Sequence, residues 1–332
     1  MKQRLPAIIF AVVSCLMGPV LAAAEGRAAR PSALPAGQVP PVALSPDLTI
    51  GVEDGDERLM FGQIVRVDVD GRGNIYVLDY KYRRVSVFDG RGDLLRLIPV
   101  PEGQGPREAT SLGGIAVTPG GTLFVNDAQK VIVYGPEGEY LRTFRVDFMI
   151  TSIGCPGREE LVAIGPHEGR ILHVFDAEGK GLASFGDAFV PPGDLEPLKG
   201  MPMFGAPILF DCAKDGRVFV LNPHGYEVSV FKDRKRERVL KGENPAFKPI
   251  QRMGRAFLST AAHIVSSGDL VLVEFQDLDP KARMSADVFQ AGRQIGSIDI
   301  PGTLRAADTG GRIYVAEEEG FPRVVRYAVK KS

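Results

Sequence analysis

Histidine is scarce in this 332-residue chain, with four copies. Two of them recur in one setting: His167 in Gly165-Pro-His-Glu168 and His224 in Asn222-Pro-His-Gly-Tyr226. Imidazole titrates near neutral pH and ligates transition metals, so such a pair could move a proton or hold a metal. No His-Glu-x-x-His and no Cys-x-x-Cys accompanies them. The favoured reading is therefore two loop histidines facing solvent. His173 and His263 stand inside apolar runs and are expected to pack.

Carboxylates form a second inventory: Asp79, Asp127, Asp277, Asp279 and Glu317 to Glu319. Calcium is the functional reading, because carboxylates and loop carbonyls are its ligands. The Asp-x-[Asp/Asn]-x-[Asp/Asn]-Gly loop is absent, and Asp79 is better read as accepting hydrogen bonds from loop amides. No resident cofactor is expected, with calcium or a transition metal as the alternative. Cations and aromatics complete the set: Lys81, Tyr82, Arg83, Arg84, Arg107, Arg170, Tyr226, Arg252 and Arg323. Arginine and tyrosine suit a carboxylate, sugar or peptide partner. For Arg84, bracing of the local structure is an equal alternative. Met201, Met203 and Phe204 form an apolar group that could act as a cap. There is no Gly-x-Ser-x-Gly and no phosphate-binding loop.

The elements that must position these residues come from a repeat. Its phrase is a glycine, a short apolar strand, a polar loop, and a strand ending in an aromatic. It runs Gly73-Asn-Ile-Tyr-Val77 to Phe88, and Gly121-Thr-Leu-Phe-Val125 to Tyr134. A weaker copy runs Glu160-Leu-Val-Ala163 to Phe175, followed by Gly216-Arg-Val-Phe-Val220 to Phe231. The last two are Gly268-Asp-Leu-Val-Leu272 to Phe289 and Gly311-Arg-Ile-Tyr-Val315 to Tyr327. An alternating strand precedes each phrase and another follows it, giving four strands, A to D, per unit. In the third strand Val85 and Val87 face one side and Phe88 the other. A sheet that is apolar on both faces must be covered on both, which radially stacked blades achieve. The fold expected is all-β, a six-bladed propeller of four-stranded antiparallel blades.

Gly73-Asn-Ile-Tyr-Val-Leu-Asp79 followed by Arg84-Val-Ser-Val-Phe-Asp-Gly90 resembles the NHL repeat, and the resemblance extends over roughly residues 46 to 329. It implies a propeller that displays a binding face. Some relatives are extracellular binding proteins and others are lyases or lactone hydrolases, and fold alone does not choose between them. The chain has no tryptophan. That excludes the Trp-Asp signature of WD repeats and the tryptophan docking motif of quinone-dependent propeller dehydrogenases.

Alternating strand direction sorts the connections. A–B and C–D turns share one face; B–C and D–A loops share the other. The A–B turns, such as Asp70-Gly-Arg-Gly73 and Thr118-Pro-Gly-Gly121, are short and built of turn residues. The long segments 99–112, 186–206, 242–259 and 274–284 all fall on the opposite face, where binding residues concentrate on a rigid scaffold. Candidate binding residues there are Asp79, Lys81, Arg84, His167, His224, Tyr226 and Glu317. The function expected is a ligand- or protein-binding module acting through this face, with an unidentified protein, peptide or small molecule as partner. The alternative is a metal-assisted hydrolase, lactonase or lyase with its site at the channel mouth, which requires His167 and His224, or several carboxylates, to converge.

Lys2 and Arg4, an apolar run from Ala7 to Ala24 and its small-residue end read as a signal peptide over residues 1–24. Lipidation at Cys15, after Val12-Val13-Ser14, is the alternative; the residues beyond it stay apolar, which argues against it. Residues 25–45, rich in Ala and Pro, read as a flexible leader, and 46–332 as the propeller. An exported protein, periplasmic or extracellular, with no membrane span after signal removal is expected. With 40 basic and 41 acidic residues the chain is near neutral, and no basic stripe points to nucleic acid.

Two further expectations follow from the blade count. The sixth blade lacks an outer strand at the C-terminus, so residues 47–53 should pair with the strand at 323–329 and close the ring. Cys155 and Cys212 occupy comparable places on adjacent blades, so an oxidising compartment should link them in a disulfide.

Overall fold

In the first and last blades the turn between the first two strands is held by its own side chain. In the first, Asp70 Oδ1 accepts from the amides of Arg72 and Asn74 at 2.9 and 2.8 Å, and Gly73 N donates to Asp70 O. Asp308 does the same for Gly310 and Arg312 in the last blade. The turn leaves through a left-handed residue, and Gly73, Gly121, Gly216 and Gly311 all have φ between 77° and 94°. Only glycine adopts that region without a Cβ penalty. This is why the repeated phrase starts with glycine.

The computed structural model describes residues 42–189, 209–222, 224–249, 251–253, 256–258, 260–276 and 284–331. The proposed signal peptide, Cys15, most of the leader, the Met201, Met203 and Phe204 group, Asp277, Asp279 and the side chain of Arg252 lie outside the described residues.

Six four-stranded antiparallel sheets form the ring. Blade one holds β2 (Ile64–Val69), β3 (Ile75–Asp79), β4 (Arg84–Phe88) and β5 (Leu94–Pro99). Blade two holds β6 (Leu112–Val117), β7 (Leu123–Asp127), β8 (Lys130–Tyr134) and β9 (Tyr140–Arg145). Blade three holds β10 (Ser152–Gly154), β11 (Leu161–His167), β12 (Arg170–Phe175) and β13 (Gly181–Asp187). Blade four holds β14 (Phe210–Cys212), β15 (Arg217–Leu221), β16 (Glu227–Lys232) and β17 (Lys235–Lys241). A small hairpin, β18 (Gln251–Met253) and β19 (Ala256–Leu258), precedes blade five. Blade five holds β20 (Ala261–Ser267), β21 (Leu270–Phe275), β22 (Met284–Gln290) and β23 (Arg293–Ile300).

The last sheet is completed from the other end of the chain. Its order is β1 (Val42–Ile50), β26 (Arg323–Lys331), β25 (Arg312–Glu317) and β24 (Thr303–Ala307). Leu48 pairs with Arg326, Thr49 with Val325 and Ile50 with Val324, so the ring closes as expected. The pairing continues outward to Val42 opposite Lys331, so strand already occupies residues 42–45. Asp47 Oδ1 accepts from Arg326 Nε at 2.7 Å, and Arg326 also reaches Gly90 O of blade one.

The apolar clusters lie between blades rather than within them. One joins Tyr76, Leu78 and Val87 of blade one to Ile115, Val125 and Ile132 of blade two. Another joins Tyr314, Ala316 and Val324 of blade six to Ile75, Val77 and Phe88 of blade one, with Ile50 of β1 between them.

The disulfide expected between Cys155 and Cys212 is not formed; both are buried free thiols. Side-chain parity is the reason. Cys155 faces blade two, beside Phe124 and Leu161, whereas Cys212 packs with Val162 and Val218 between blades three and four. The residue of blade three that meets Cys212 is Gly154, where a Cβ would lie 2.7 Å from Cys212 Sγ. Burial pushes both thiols above their ordinary range, which keeps them neutral.

His173 packs, as its place in β12 suggests. Its Nε2 donates to Gly165 O at 3.0 Å, so its Nδ1 accepts from Ser184 Oγ at 2.9 Å. Burial lowers His173, His224 and His263 below the ordinary histidine value.

Two measurements test these assignments. Ile50→Ala should destabilise the protein by about 2–4 kcal/mol in urea denaturation, through lost contact in the blade six–blade one core. A loss below about 1 kcal/mol would exclude β1 from the cooperative unit. The pH dependence follows from linkage. A histidine with a depressed folded pKa binds its proton more readily in the unfolded chain, so its stability contribution is complete above about pH 6.5 and declines below it. Melting temperature should therefore fall between about pH 7.5 and about pH 5.5. The fall should be smaller in His173→Gln. Asp211, raised by burial, works in the opposite sense where carboxylates titrate, and comparison with the variant cancels it.

Candidate functional site

The loops of the long-loop face are held from below by carboxylates at the ends of the second strands. Asp79, fully buried, accepts from Gly62 N at 2.7 Å, Gln63 N at 3.2 Å and Tyr82 N at 3.0 Å. In blade two, Asp127 accepts from Thr110 N and Ser111 N and pairs with Lys130 at 3.1 Å. Glu317 of blade six accepts from Arg323 Nη2 at 2.7 Å and Tyr327 OH at 2.6 Å. These groups organise loops; their oxygens are already engaged.

Arg84 braces, as one of its two readings held. Its Nη2 donates to Glu57 O, Arg58 O and Met60 O, fastening the segment that leads into blade one. Tyr226 is also committed to the interior. Its hydroxyl donates to Asp287 Oδ2 at 2.7 Å, and its ring stacks on Phe247 at 5.1 Å. His224 is anchored through its amide to Asn222 Oδ1, and its buried Nδ1 has no hydrogen-bond partner among the described residues. His167 stacks on Phe148 at 5.4 Å, with Nε2 3.5 Å from Asp147 Oδ1. Among the described residues, no three His, Cys, Asp or Glu side chains are grouped to hold a metal.

What this face does present is an aromatic flanked by cations. Tyr82 is 45% exposed, with Arg84 Cζ 5.2 Å and Lys81 Nζ 5.9 Å from its ring centroid. Lys81 lies flat across Gly62, where even a Cβ would collide with its stem. Glycine there is what lets the lysine reach the ring.

The central channel holds polar residues that the sequence reading passed over. Asp68 of blade one pairs with Lys214 of blade four at 2.8 Å, and these blades stand opposite each other in the ring. Lys214 also donates to Val117 O, and Asp68 Oδ2 accepts from Val117 N at 2.8 Å. Lys214 sits in an A–B turn, so the ion pair crosses the channel near the short-turn face. Asp211 Oδ2 accepts from the amide and hydroxyl of Ser266.

A second group lies on the inner strands of blades five, six and one. Arg305 Nη1 lies 3.0 Å from His263 Nε2. A guanidinium has only donors, so Nε2 accepts and the His263 proton is on Nδ1. That nitrogen is 3.5 Å from Glu274 Oε1, while Glu274 Oε2 accepts from Leu304 N at 2.5 Å. Burial lowers Arg305 to about 10, and Arg66 acts in the same direction. The only sequence signal for these residues was charge inside an apolar strand, as in Val65-Arg-Val-Asp68.

On the outer part of the ring, Ile171, Val220, Phe231, Val239 and Arg236 line a cavity of about 230 Å³ between blades three and four.

Comparison with known proteins agrees with this architecture. The DUF5128 family, described as a 6-bladed beta-propeller, matches residues 54–163. No curated protein matches the sequence. A Bacteroides fragilis protein named "putative exported protein" is similar in structure, with a TM-score of 0.62 at 10% identity, over 88% of this chain and 96% of that one. A Bacteroides vulgatus member of the DUF4221 family gives 0.55 at 12% identity, over 88% of this chain and 99% of that one. A chain of the mitotic checkpoint complex gives 0.53 at 12% identity, over 94% of this chain and 99% of that one. At such identities the likeness concerns the fold alone; the blade number agrees with the family description.

Proposed function

We propose that the chain is an exported propeller that binds a protein, peptide or small-molecule partner through its long-loop face. The observation that carries this reading is the asymmetry of the two faces. On the short-turn side, Asp70 and Asp308 are spent on their own turns, and the Asp68–Lys214 pair crosses the channel. The other side carries the long loops and an exposed tyrosine between two cations. Exposed aromatic and arginine groups on a braced loop are the residue types that dominate binding energy at interfaces. The resemblance to NHL repeats favours the same use. Of the residues singled out from sequence, Lys81 and Arg84 contribute here through Tyr82. Asp79, Tyr226 and Glu317 support the surface from beneath, and His167 and His224 belong to neighbouring loops.

Catalysis has less support. Asp79, Asp127 and Glu317 have their oxygens engaged by amides, lysine, arginine and tyrosine, which leaves them poorly placed to exchange protons with a substrate.

Export rests on the basic, apolar and small-residue order of residues 1–24. Protein recovered from the periplasm or medium should have the mass of a chain beginning near Glu25. Full-length chain confined to the cytoplasm would remove this part of the reading. For binding, immobilised mature protein should retain a partner from envelope extract. Tyr82→Ala should weaken that partner's affinity by about tenfold, the scale of an aromatic anchor. Arg72→Ala, on the opposite face, should leave it unchanged. The reverse pattern would overturn the assignment of the face.

A further inference from the structure

We propose that the central channel is a well for a small carboxylate- or phosphate-bearing anion, held by Arg66 and Arg305 on the inner strands of blades one and six. This goes beyond partner binding by the loop face and does not depend on it.

The argument starts from what each charged group in the channel already contacts. Asp68 is taken by Lys214 and by Val117 N. Asp211 receives two hydrogen bonds from Ser266. Glu274 gives one oxygen to Leu304 N and leaves the other 3.5 Å from His263 Nδ1. Neither Asp211 nor Glu274 reaches a guanidinium.

The two arginines are in the complementary condition. Arg66 makes no hydrogen bond or ion pair among the described residues, although its charge is felt by Asp211, His263 and Arg305. Arg305 spends one nitrogen on a neutral imidazole, and its Nε is buried with no hydrogen-bond partner among the described residues. Glu274, and more weakly Glu318 after the second strand of blade six, act on Arg305 only through space, with no hydrogen bond to it. A half-buried guanidinium whose Nε is sealed from water and which bonds no carboxylate is costly, and a second half-buried one on the adjacent inner strand raises the cost. Evolution of such a pair is most simply explained by a ligand that supplies the missing charge.

Geometry then selects the ligand class. Guanidinium forks match the oxygens of carboxylate and phosphate, and a shielded channel strengthens such bonds relative to water. The Asp68–Lys214 pair crosses the channel toward the short-turn face, so an anion would enter from the long-loop side. His263 positions Arg305: by accepting from Nη1 it fixes that nitrogen and leaves Nη2 for an anion.

Calorimetric titration of the mature protein in chloride-poor buffer, with inorganic phosphate and with succinate as probes, tests the proposal. At least one should bind in the millimolar range or tighter. Arg66→Gln should weaken it by about tenfold or more, the loss of a charge-assisted contact. The melting temperature of ligand-free Arg66→Gln should be equal to or higher than that of the parent, because this arginine braces nothing and repels Arg305. Arg305→Lys should retain part of the affinity that Arg305→Gln loses. Should Arg305→Gln fail to fold, the Arg66 variant decides alone. Tyr82→Ala should bind the anion normally, which separates this site from the loop face. Failure of both anions to bind, or unchanged affinity in Arg66→Gln, would overturn the proposal. So would a destabilised ligand-free Arg66→Gln that binds as well as the parent.

Discussion

A blade of this protein cannot exist by itself, and the rest of the structure follows from that. The strands β3, β7 and β8 are buried along their whole length. Both faces of each sheet are therefore apolar, and each needs a neighbour. The six apolar clusters are the six blade-to-blade contacts, and each draws residues from two adjacent sheets. Burial at roughly 25 cal/mol per Å² of apolar surface is then gained in full only when the ring is complete. An open ring would expose two such faces at once. Pairing β1 with β26 removes that state by tying the two ends of the chain into one sheet.

Polar contacts across the seams have a different task. Arg96 of blade one reaches Pro136 O and Glu137 of blade two, and Arg217 of blade four reaches Gly268 O and Asp269 of blade five. Exposed ion pairs of this kind are worth about 0–1 kcal/mol each. Apolar faces slide over one another with little directional preference, whereas a guanidinium bound to a named carbonyl does not. The seams are thus stabilised by apolar burial and aligned by arginine.

Most of the architecture was legible because it repeats. Glycine before the second strand marks a left-handed turn exit, and the aromatic at the end of the third strand marks the seam it fills. Asp79 was legible as a receiver of loop amides for the same reason. The failures share one cause: parity and register on the innermost strands. Cys155 and Cys212 occupy similar positions in sequence, yet one residue of offset turns them to opposite faces of blade three, with Gly154 between. Register shifts lie between Ile64 and Arg66, Ala261 and His263, and Leu304 and Ala306. Alternation fails at those points, so His263 read as a packing residue and Arg305 was not singled out. The Asp68–Lys214 pair was out of reach for another reason. It joins blades on opposite sides of the ring, a relation that no local spacing encodes.

That ion pair also limits what the ring can do. A contact between adjacent blades leaves the ring free to widen, because each seam can tilt slightly. A contact between opposite blades does not, since any widening stretches it directly. Lys214 holds Asp68 and Val117 O together, so blades one, two and four are joined at one point on the axis. Both partners are mostly shielded from solvent, so salt screens the pair less than it screens the outer ion pairs. Removing one partner would leave a charge stranded in the channel, at a cost several times that of losing a surface pair. The short-turn side is therefore the rigid end of the molecule. Adaptation to the proposed partner is then left to the opposite end, where the connections are long and the inner cations bond no carboxylate among the described residues.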